Sequence, residues 1–218
     1  MYFNHDNYNY MCVVLGETGA GKSTFINSIT NKRECKISNK VLACTKYFNL
    51  VKTKNSNLTY YFIDTPGWNC ECGDENIIKQ LKNYISYYGR LRCIIIVMKF
   101  HDIRLTNSTV KNLKLLIKYF PYKKFWEHVM IVRTYADNSY KKFQREKAKI
   151  KGSFINAINN YGNDLKDFQN FMIRNLIEFP RDIDEFYVDN DEEDPNNYYN
   201  NMNEFDKIFN KIKNTYPF

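Results

Sequence analysis

The segment that most constrains this chain is a glycine-rich stretch at residues 13–24, with the sequence VVLGETGAGKST. It contains the pattern G-x-x-x-x-G-K-S, directly after a short apolar run and directly before a helical pattern. A strand, a loop and a helix in that order are the context that a phosphate-binding loop requires. Gly16, Gly19 and Gly21 lack a Cβ, so the backbone can adopt positive φ and wrap closely around phosphates. A chance glycine-rich turn is the alternative, and the flanking strand and helix argue against it.

The residues of this loop have different predicted roles toward a bound phosphate chain. The backbone N–H groups of the loop and the positive end of the following helix face the phosphates. Lys22 is expected to reach the β- and γ-phosphates, and the Ser23 hydroxyl to ligate Mg²⁺. The predicted nucleotide contacts of the loop are Gly16, Glu17, Thr18, Gly19, Ala20, Gly21, Lys22, Ser23 and Thr24.

Apolar runs and helical patterns alternate along the rest of the chain. Continuous apolar runs at 10–15 and 91–98 predict buried parallel strands. Strands at 47–53 and 58–63 flank a polar turn at 55–57, so they form a hairpin and one strand is antiparallel. Strands that alternate with helices predict an α/β fold. We expect a three-layer P-loop NTPase architecture: a mostly parallel sheet, one antiparallel edge strand and helices on both faces.

The second half of the chain is predicted to complete the same domain. Its patterns indicate a long basic helix over 139–158, a helix over 165–177 and a closing helix over 205–212. With 218 residues, one domain is the natural division. Residues 1–9 are then a polar N-terminal tail and residues 10–218 the folded domain.

Composition limits the classes of function. The net charge of +8 allows a membrane-surface or RNA-associated protein, but the lysines are dispersed along helices, which favours a solvated surface. The longest apolar run, 93–98, is too short to span a bilayer, and the first ten residues contain no signal core. The six cysteines form no C-x-x-C pair and indicate reduced thiols. We therefore predict a cytoplasmic protein.

Two further segments are predicted to complete a metal and phosphate site. Asp64 ends an apolar strand, and a carboxylate at that place helps to hold Mg²⁺ in phosphate-loop NTPases. Gly67, three residues later, can offer a backbone N–H to the γ-phosphate. Thr45, in the loop before the second strand, is predicted to cap Mg²⁺ and sense the γ-phosphate, although a threonine in a polar loop is otherwise simply solvated. The predicted metal ligands are Ser23, Thr45 and Asp64.

A segment after another buried strand is predicted to recognise the base. The sequence T-Y-A-D places Asp137 where a carboxylate can accept hydrogen bonds from the N1–H and the exocyclic amine of guanine. Adenine lacks that amine and has an acceptor nitrogen where guanine has N1–H. It would therefore leave the carboxylate without a hydrogen-bond partner. Thr134, Tyr135 and Asp137 are therefore predicted guanine-site residues. Tyr135 replaces the usual lysine of this motif and can cover the base face by stacking.

Together these motifs resemble the AIG-type G domain of the immunity-associated nucleotide-binding (IAN, or GIMAP) GTPases, relatives of septins and chloroplast import-receptor GTPases. The resemblance lies in G-E-T-G-A-G-K-S-T at 16–24, Thr45, D-T-P-G-W at 64–68 and T-Y-A-D at 134–137. It covers about 10–137 and is loose after about 138. A strand followed by Arg-Leu-Thr at 104–106 fits the family's further box in part, because Leu105 replaces an aromatic residue.

The resemblance adds two residues and a mode of assembly. Asn190, after a late strand, is implied as a second guanine contact, and is otherwise an ordinary loop residue. Arg104 is implied as an arginine finger supplied across a dimer, and is otherwise a solvated residue at the start of a helix. Nucleotide-dependent dimerisation is the implied assembly. Trp68 follows Gly67 where small GTPases have a water-positioning glutamine, so intrinsic hydrolysis is expected to be slow.

The leading hypothesis is a GTP-binding switch that uses GTP, GDP and Mg²⁺, hydrolyses GTP slowly, and forms a homodimer or oligomer or binds an unknown effector. Its predicted catalytic residues are Lys22, Thr45, Gly67 and Arg104. One alternative is a nucleotide-binding scaffold with negligible hydrolysis. Another is a basic membrane-surface or RNA-associated protein. Peripheral membrane association is kept as a further interaction, and no specific nucleic acid is expected.

Overall fold

The fold is a six-stranded sheet between helices, seen in a computed structural model that describes residues 9–37, 47–68, 73–88, 90–102, 105–136, 140–160, 162–189 and 201–217. The strands are β1 (Asn9–Leu15), β2 (Asn49–Asn55), β3 (Leu58–Asp64), β4 (Leu91–Lys99), β5 (Val129–Thr134) and β6 (Asp184–Tyr187). Their order in the sheet is β2-β3-β1-β4-β5-β6. Only the β2–β3 pair is antiparallel among the described pairs. The predicted sheet, with its antiparallel edge strand, is confirmed.

The helices cover both faces of this sheet. They are α1 (Lys22–Thr30), α2 (Asp74–Tyr88), α3 (Asn107–Tyr119), α4 (Tyr140–Ile150), α5 (Ser153–Asn160), α6 (Gly162–Arg174) and α7 (Met202–Asn214), and a 3₁₀ turn covers Phe125–His128. Side chains of β1 alternate between two cores, as the period of a strand requires. Val13 belongs to the core that contains side chains of α2, α3, α5 and α6, whereas Val14 belongs to the core that contains side chains of α1 and α7. The central strand is therefore buried on both faces, which explains its continuous apolar sequence.

The predicted long helix over 139–158 is wrong. The structure has two helices there, because Gly152 adopts a left-handed φ of 76° that a continuing helix does not allow. The N–H of Lys151 still donates to the carbonyl of Lys147 at 2.9 Å, and α5 restarts when the N–H of Asn156 donates to Gly152 at 2.9 Å. The apolar periodicity continues across this break, so the pattern alone concealed it.

Other element boundaries shift by a few residues. The second strand begins at Asn49 rather than at residue 47. β5 begins at Val129, directly after the 3₁₀ turn that contains His128. Among the helices of the described residues, none combines the length and the apolar character needed to cross a bilayer. Cys12, Cys35 and Cys93 are free thiols.

Candidate nucleotide-binding site

The predicted site residues that the structure describes lie at one edge of the sheet. The phosphate loop follows β1, the D-T-P-G-W segment follows β3, and Thr134 ends β5. The carboxyl ends of parallel strands meet at a single edge, and ligands of open α/β sheets bind there. Three distant parts of the sequence therefore meet in one place.

Glycine is required at three positions of the phosphate loop, for different structural reasons. A Cβ on Gly16 would lie 2.3 Å from the carbonyl oxygen of Val97 in β4, and its φ of 150° is one that side chains avoid. Gly19 has a φ of 78° with open space around it. Gly21 has a φ of 87° and is the N-cap of α1, so it turns the chain into the helix. Gly16 is thus required by packing, and the other two by conformation.

Lys22 is folded back onto the loop that it belongs to. Its Nζ donates to the carbonyl of Gly16 at 3.1 Å and to that of Glu17 at 3.1 Å. The side chain is 6% exposed. Burial lowers the pKa of Lys22 to about 8, and the negative charges of Asp64 and Glu17 oppose that shift. A buried ammonium that donates to neutral carbonyls is a strong donor for an incoming phosphate.

Ser23 and Asp64, two of the three predicted metal ligands, contact each other. The Ser23 hydroxyl donates to Oδ2 of Asp64 at 2.8 Å, which joins the first turn of α1 to the end of β3. Asp64 is 1% exposed. A hydroxyl and a carboxylate in contact are hard oxygen donors of the kind that Mg²⁺ prefers, so these residues fit that ion. Thr24, next along α1, is buried.

The D-T-P-G-W segment packs directly on the phosphate loop. The N–H of Trp68 donates to the carbonyl of Gly16 at 3.0 Å, and Trp68 forms a parallel bridge with Glu17. A Cβ on Gly67 would lie 2.3 Å from the Thr18 hydroxyl and 2.8 Å from its backbone nitrogen. Only glycine therefore permits this approach. The Trp68 side chain is 1% exposed and packs in the core, away from solvent.

The base-side motif is connected to the phosphate loop through Thr134. Its hydroxyl donates to the carbonyl of Ala20 at 2.7 Å, and the side chain is fully buried. Thr134 therefore supports the loop. Tyr135 has a positive φ of 56° and is 41% exposed, so its ring lies at the surface. The N–H of Ala136 donates to the carbonyl of Val188 at 3.2 Å, which brings the ends of β5 and β6 together.

Four predicted site residues lie outside the described residues: Thr45, Arg104, Asp137 and Asn190. Their roles stay predictions. Ala136 and Asp189 directly precede two of them, and both lie at the base-side end of the sheet.

Sequence reasoning missed two side-chain amides that hold the loops at this edge. Asn201 donates to the carbonyl of Asp189 at 2.7 Å and accepts from its N–H at 2.9 Å. Asn27 makes the same reciprocal pair with the backbone of Cys35, at 2.9 Å in each direction. Each amide satisfies one backbone donor and one acceptor. Asparagine is common in this sequence, so its abundance concealed both.

A buried arginine was also missed. Arg133 is fully buried in β5, where its guanidinium donates to the carbonyl of Asp102 at 2.6 Å and to the Ser153 hydroxyl at 3.0 Å. Glu185 lies 3.8 Å from its Nε. Burial lowers the pKa of Arg133, and the charge of Glu185 opposes that effect. The side chain therefore joins β5 to the loop after β4 and to the start of α5.

Two pockets differ in their relation to this edge. One of about 300 Å³ lies beside the phosphate loop and is lined by Glu17, Trp68, Asp102 and Thr106, among others. A larger one of about 590 Å³ lies at the opposite edge, near the starts of β5 and β6. Its described lining contains none of the predicted phosphate, metal or base contacts. The positions of the motif residues therefore indicate that the phosphate ligand binds on the side of the molecule that holds the smaller pocket.

A glycine-rich loop between a parallel strand and a helix, a serine in contact with a strand-end carboxylate, and this strand order together define a P-loop nucleotide-binding domain. The family model described as 50S ribosome-binding GTPase matches residues 11–132, which is more than half of the chain. The chain belongs to that GTPase family.

Solved structures with this fold include Toc33 from Arabidopsis thaliana. A dimerisation-deficient mutant of Toc33 matches with a TM-score of 0.67 and 17% identity over 95% of this chain and 84% of that chain. Toc33 in complex with GDP and Mg²⁺ matches at 0.64 and 17%, over 94% and 83%. A structure described under the finding that dimerisation is important for the GTPase activity of atToc33 and psToc159 matches at 0.64 and 17%, over 95% and 84%. Among functionally curated proteins, none matches the chain.

Proposed function

We propose that this chain is a guanine-nucleotide switch of the AIG type, which binds GTP and GDP with Mg²⁺ and hydrolyses GTP slowly. The observation that carries the proposal is the group formed by Lys22, Ser23 and Asp64, because it combines a buried ammonium with a paired hydroxyl and carboxylate. In this proposal the backbone of 16–24 holds the phosphates. Thr134 supports that loop, and Tyr135, Asp137 and Asn190 form the guanine site.

The metal ion fits the residues that contact each other at the end of β3. Ser23 and Asp64, with Thr45, would hold Mg²⁺, which neutralises charge on the phosphates when it is bound. Lys22 would exchange its two carbonyl partners for phosphate oxygens. Gly67 would offer its backbone N–H to the γ-phosphate, where its lack of a side chain permits close packing on Thr18.

Slow intrinsic hydrolysis is proposed from the position of Trp68. The attacking water of a GTPase needs an amide or a similar polar group to orient it. Trp68 follows Gly67 directly, but its indole is buried in the core. This position of the segment therefore lacks the amide that would orient a water. Arg104 of a second copy is proposed to stabilise the negative charge of the transition state instead.

Nucleotide-dependent self-assembly is proposed together with that arginine. Dimerisation and GTPase activity are linked in the description of one of the matching structures, and this chain shares its fold. We expect the chain to form dimers with a non-hydrolysable GTP analogue and to be mostly monomeric without nucleotide, as measured by light scattering. A constant mass in all states would favour the scaffold alternative in its monomeric form.

Titration with labelled GDP, GTP and ATP tests the proposed function. Guanine nucleotides are expected to bind at least about tenfold more tightly than ATP, because adenine leaves the base-reading carboxylate without partners. Mg²⁺ is expected to tighten the binding of GTP. Equal affinity for ATP would reject the assignment to guanine.

The pH dependence of GDP binding is expected to follow Lys22. Its pKa in the free protein is about 8, and a bound phosphate raises that pKa because it places negative charge beside the ammonium. Below pH 8 the lysine is already charged, so binding takes up no proton at this group. Above pH 8 the free protein loses that proton, and affinity falls by up to about tenfold per pH unit.

Calorimetry in two buffers of different ionisation enthalpy measures this uptake. At pH 9 we expect GDP binding to take up about 0.9 proton more in the natural protein than in Lys22→Arg, whose guanidinium stays charged. The protons that the nucleotide itself exchanges are the same for both proteins, so they drop out of this comparison. The same proton uptake in both proteins would contradict the assignment to Lys22.

A further inference from the structure

Glu17 has contacts on three sides, although the loop pattern leaves its residue type open. Its carbonyl accepts from the N–H of Ala20 and from Nζ of Lys22, both at 3.1 Å. Its backbone forms the parallel bridge with Trp68. Its carboxylate accepts from the Thr106 hydroxyl at 2.8 Å. One residue thus contacts the phosphate-binding lysine, the segment after β3 and the N-cap of α3.

The Thr106 contact has a direction that proton counting establishes. A threonine hydroxyl has one proton and can accept twice. The Thr106 proton goes to Glu17, so Thr106 must accept from its two other neighbours, the Thr109 hydroxyl at 3.0 Å and the Thr109 N–H at 3.1 Å. The same oxygen therefore caps α3 and donates to the phosphate loop. Thr109 is 3% exposed, whereas Thr106 and its bond to Glu17 are exposed.

We propose that the Glu17 side chain is a positioning group that links occupancy of the phosphate loop to the N-terminus of α3 through Thr106. The inference rests on the proposed nucleotide binding. A carboxylate in a phosphate loop repels the phosphates, and Thr106 holds it toward α3. When the Lys22 ammonium turns to a phosphate, the carbonyl of Glu17 loses the hydrogen bond that it accepts from Lys22. The resulting shift of Glu17 reaches α3 through the hydrogen bond from the Thr106 hydroxyl to the Glu17 carboxylate.

A double-mutant cycle on GDP affinity tests this link. Thr106→Ala is expected to weaken GDP binding by about 3- to 10-fold, since the carboxylate loses its donor and can approach the phosphates. With Glu17→Ala already present, the same change is expected to have less than about a twofold effect. Thr106→Ser keeps the hydroxyl and is expected to bind GDP as tightly as the natural protein. Loss of the helix cap alone would act equally with or without Glu17.

Amide hydrogen exchange gives a second readout on α3 itself. GDP is expected to slow exchange in the first turn of α3 in the natural protein and to have no such effect in Glu17→Ala. Equal protection in both proteins, or equal effects of Thr106→Ala in both backgrounds, would overturn the inference while nucleotide binding stands. If the natural protein bound no GDP, the proposed function would fail first and the inference with it.

Discussion

Replacing Lys22 with alanine is expected to weaken GDP and GTP binding by about 100-fold, because the site loses its buried charged donor to the phosphates. The free protein is expected to lose no thermal stability, since the ammonium is costly to bury and donates to two neutral loop carbonyls. This combination separates a binding role from a structural one. Fluorescence titration and a thermal melt without nucleotide measure the two effects.

Lys79→Ala is the matched control for that experiment. Lys79 is exposed on α2 and belongs to none of the predicted motifs. Its replacement is expected to change GDP affinity by less than about twofold. Undiminished binding by Lys22→Ala would remove the phosphate loop from the proposed site. A large loss of affinity in both variants would indicate a general effect of net charge.

Gly16→Ala is expected to destabilise the fold by about 3 kcal/mol or more, because the new Cβ would lie 2.3 Å from the carbonyl oxygen of Val97. That atom belongs to the backbone of β4 and cannot rotate away. For a chain of 218 residues, this corresponds to a fall in Tm of about 6–12 °C. Differential scanning calorimetry without nucleotide measures it.

The control for this change is Gly152→Ala. Gly152 also has a left-handed φ, of 76°, but a Cβ there meets no atom within 4 Å. Its replacement carries only the conformational strain of about 1 kcal/mol, or about 2–4 °C in Tm. Equal shifts in the two variants would show that the close approach of Gly16 to β4 is relieved by local movement.

Local patterns in the sequence predicted most of the sheet and the place of the site. The apolar run of β1, the G-x-x-x-x-G-K-S motif and the carboxylate after β3 each depend on neighbouring residues, so periodicity and spacing are sufficient to find them. The hairpin of β2 and β3 was predicted for the same reason, because a polar turn separates two short apolar runs. The order of the strands was not predicted, because connection rules for parallel sheets limit the possible orders without selecting one.

The remaining features depend on contacts between residues that are far apart in the sequence. The hydroxyl of Thr134 bonds to Ala20, and the buried Arg133 donates to the carbonyl of Asp102 and to the Ser153 hydroxyl. No local pattern in the sequence connects these residues. The break at Gly152 depends on a single φ angle, while the apolar spacing continues on both sides. Such features depend on tertiary packing, which one sequence without its contacts does not specify.

The order of the strands also has a consequence for the solution behaviour of the protein. A sheet with two free edges can add strands from other molecules and aggregate. Among the described strands, β2 forms one edge and β6 the other. β2 presents exposed Lys52 and Lys54, and β6 is only 4 residues long and begins with Asp184. Lysines and a short charged strand oppose edge-to-edge pairing. Self-association of this chain is therefore expected to occur through its loop face, where a nucleotide can control it, and not through continuous β-pairing.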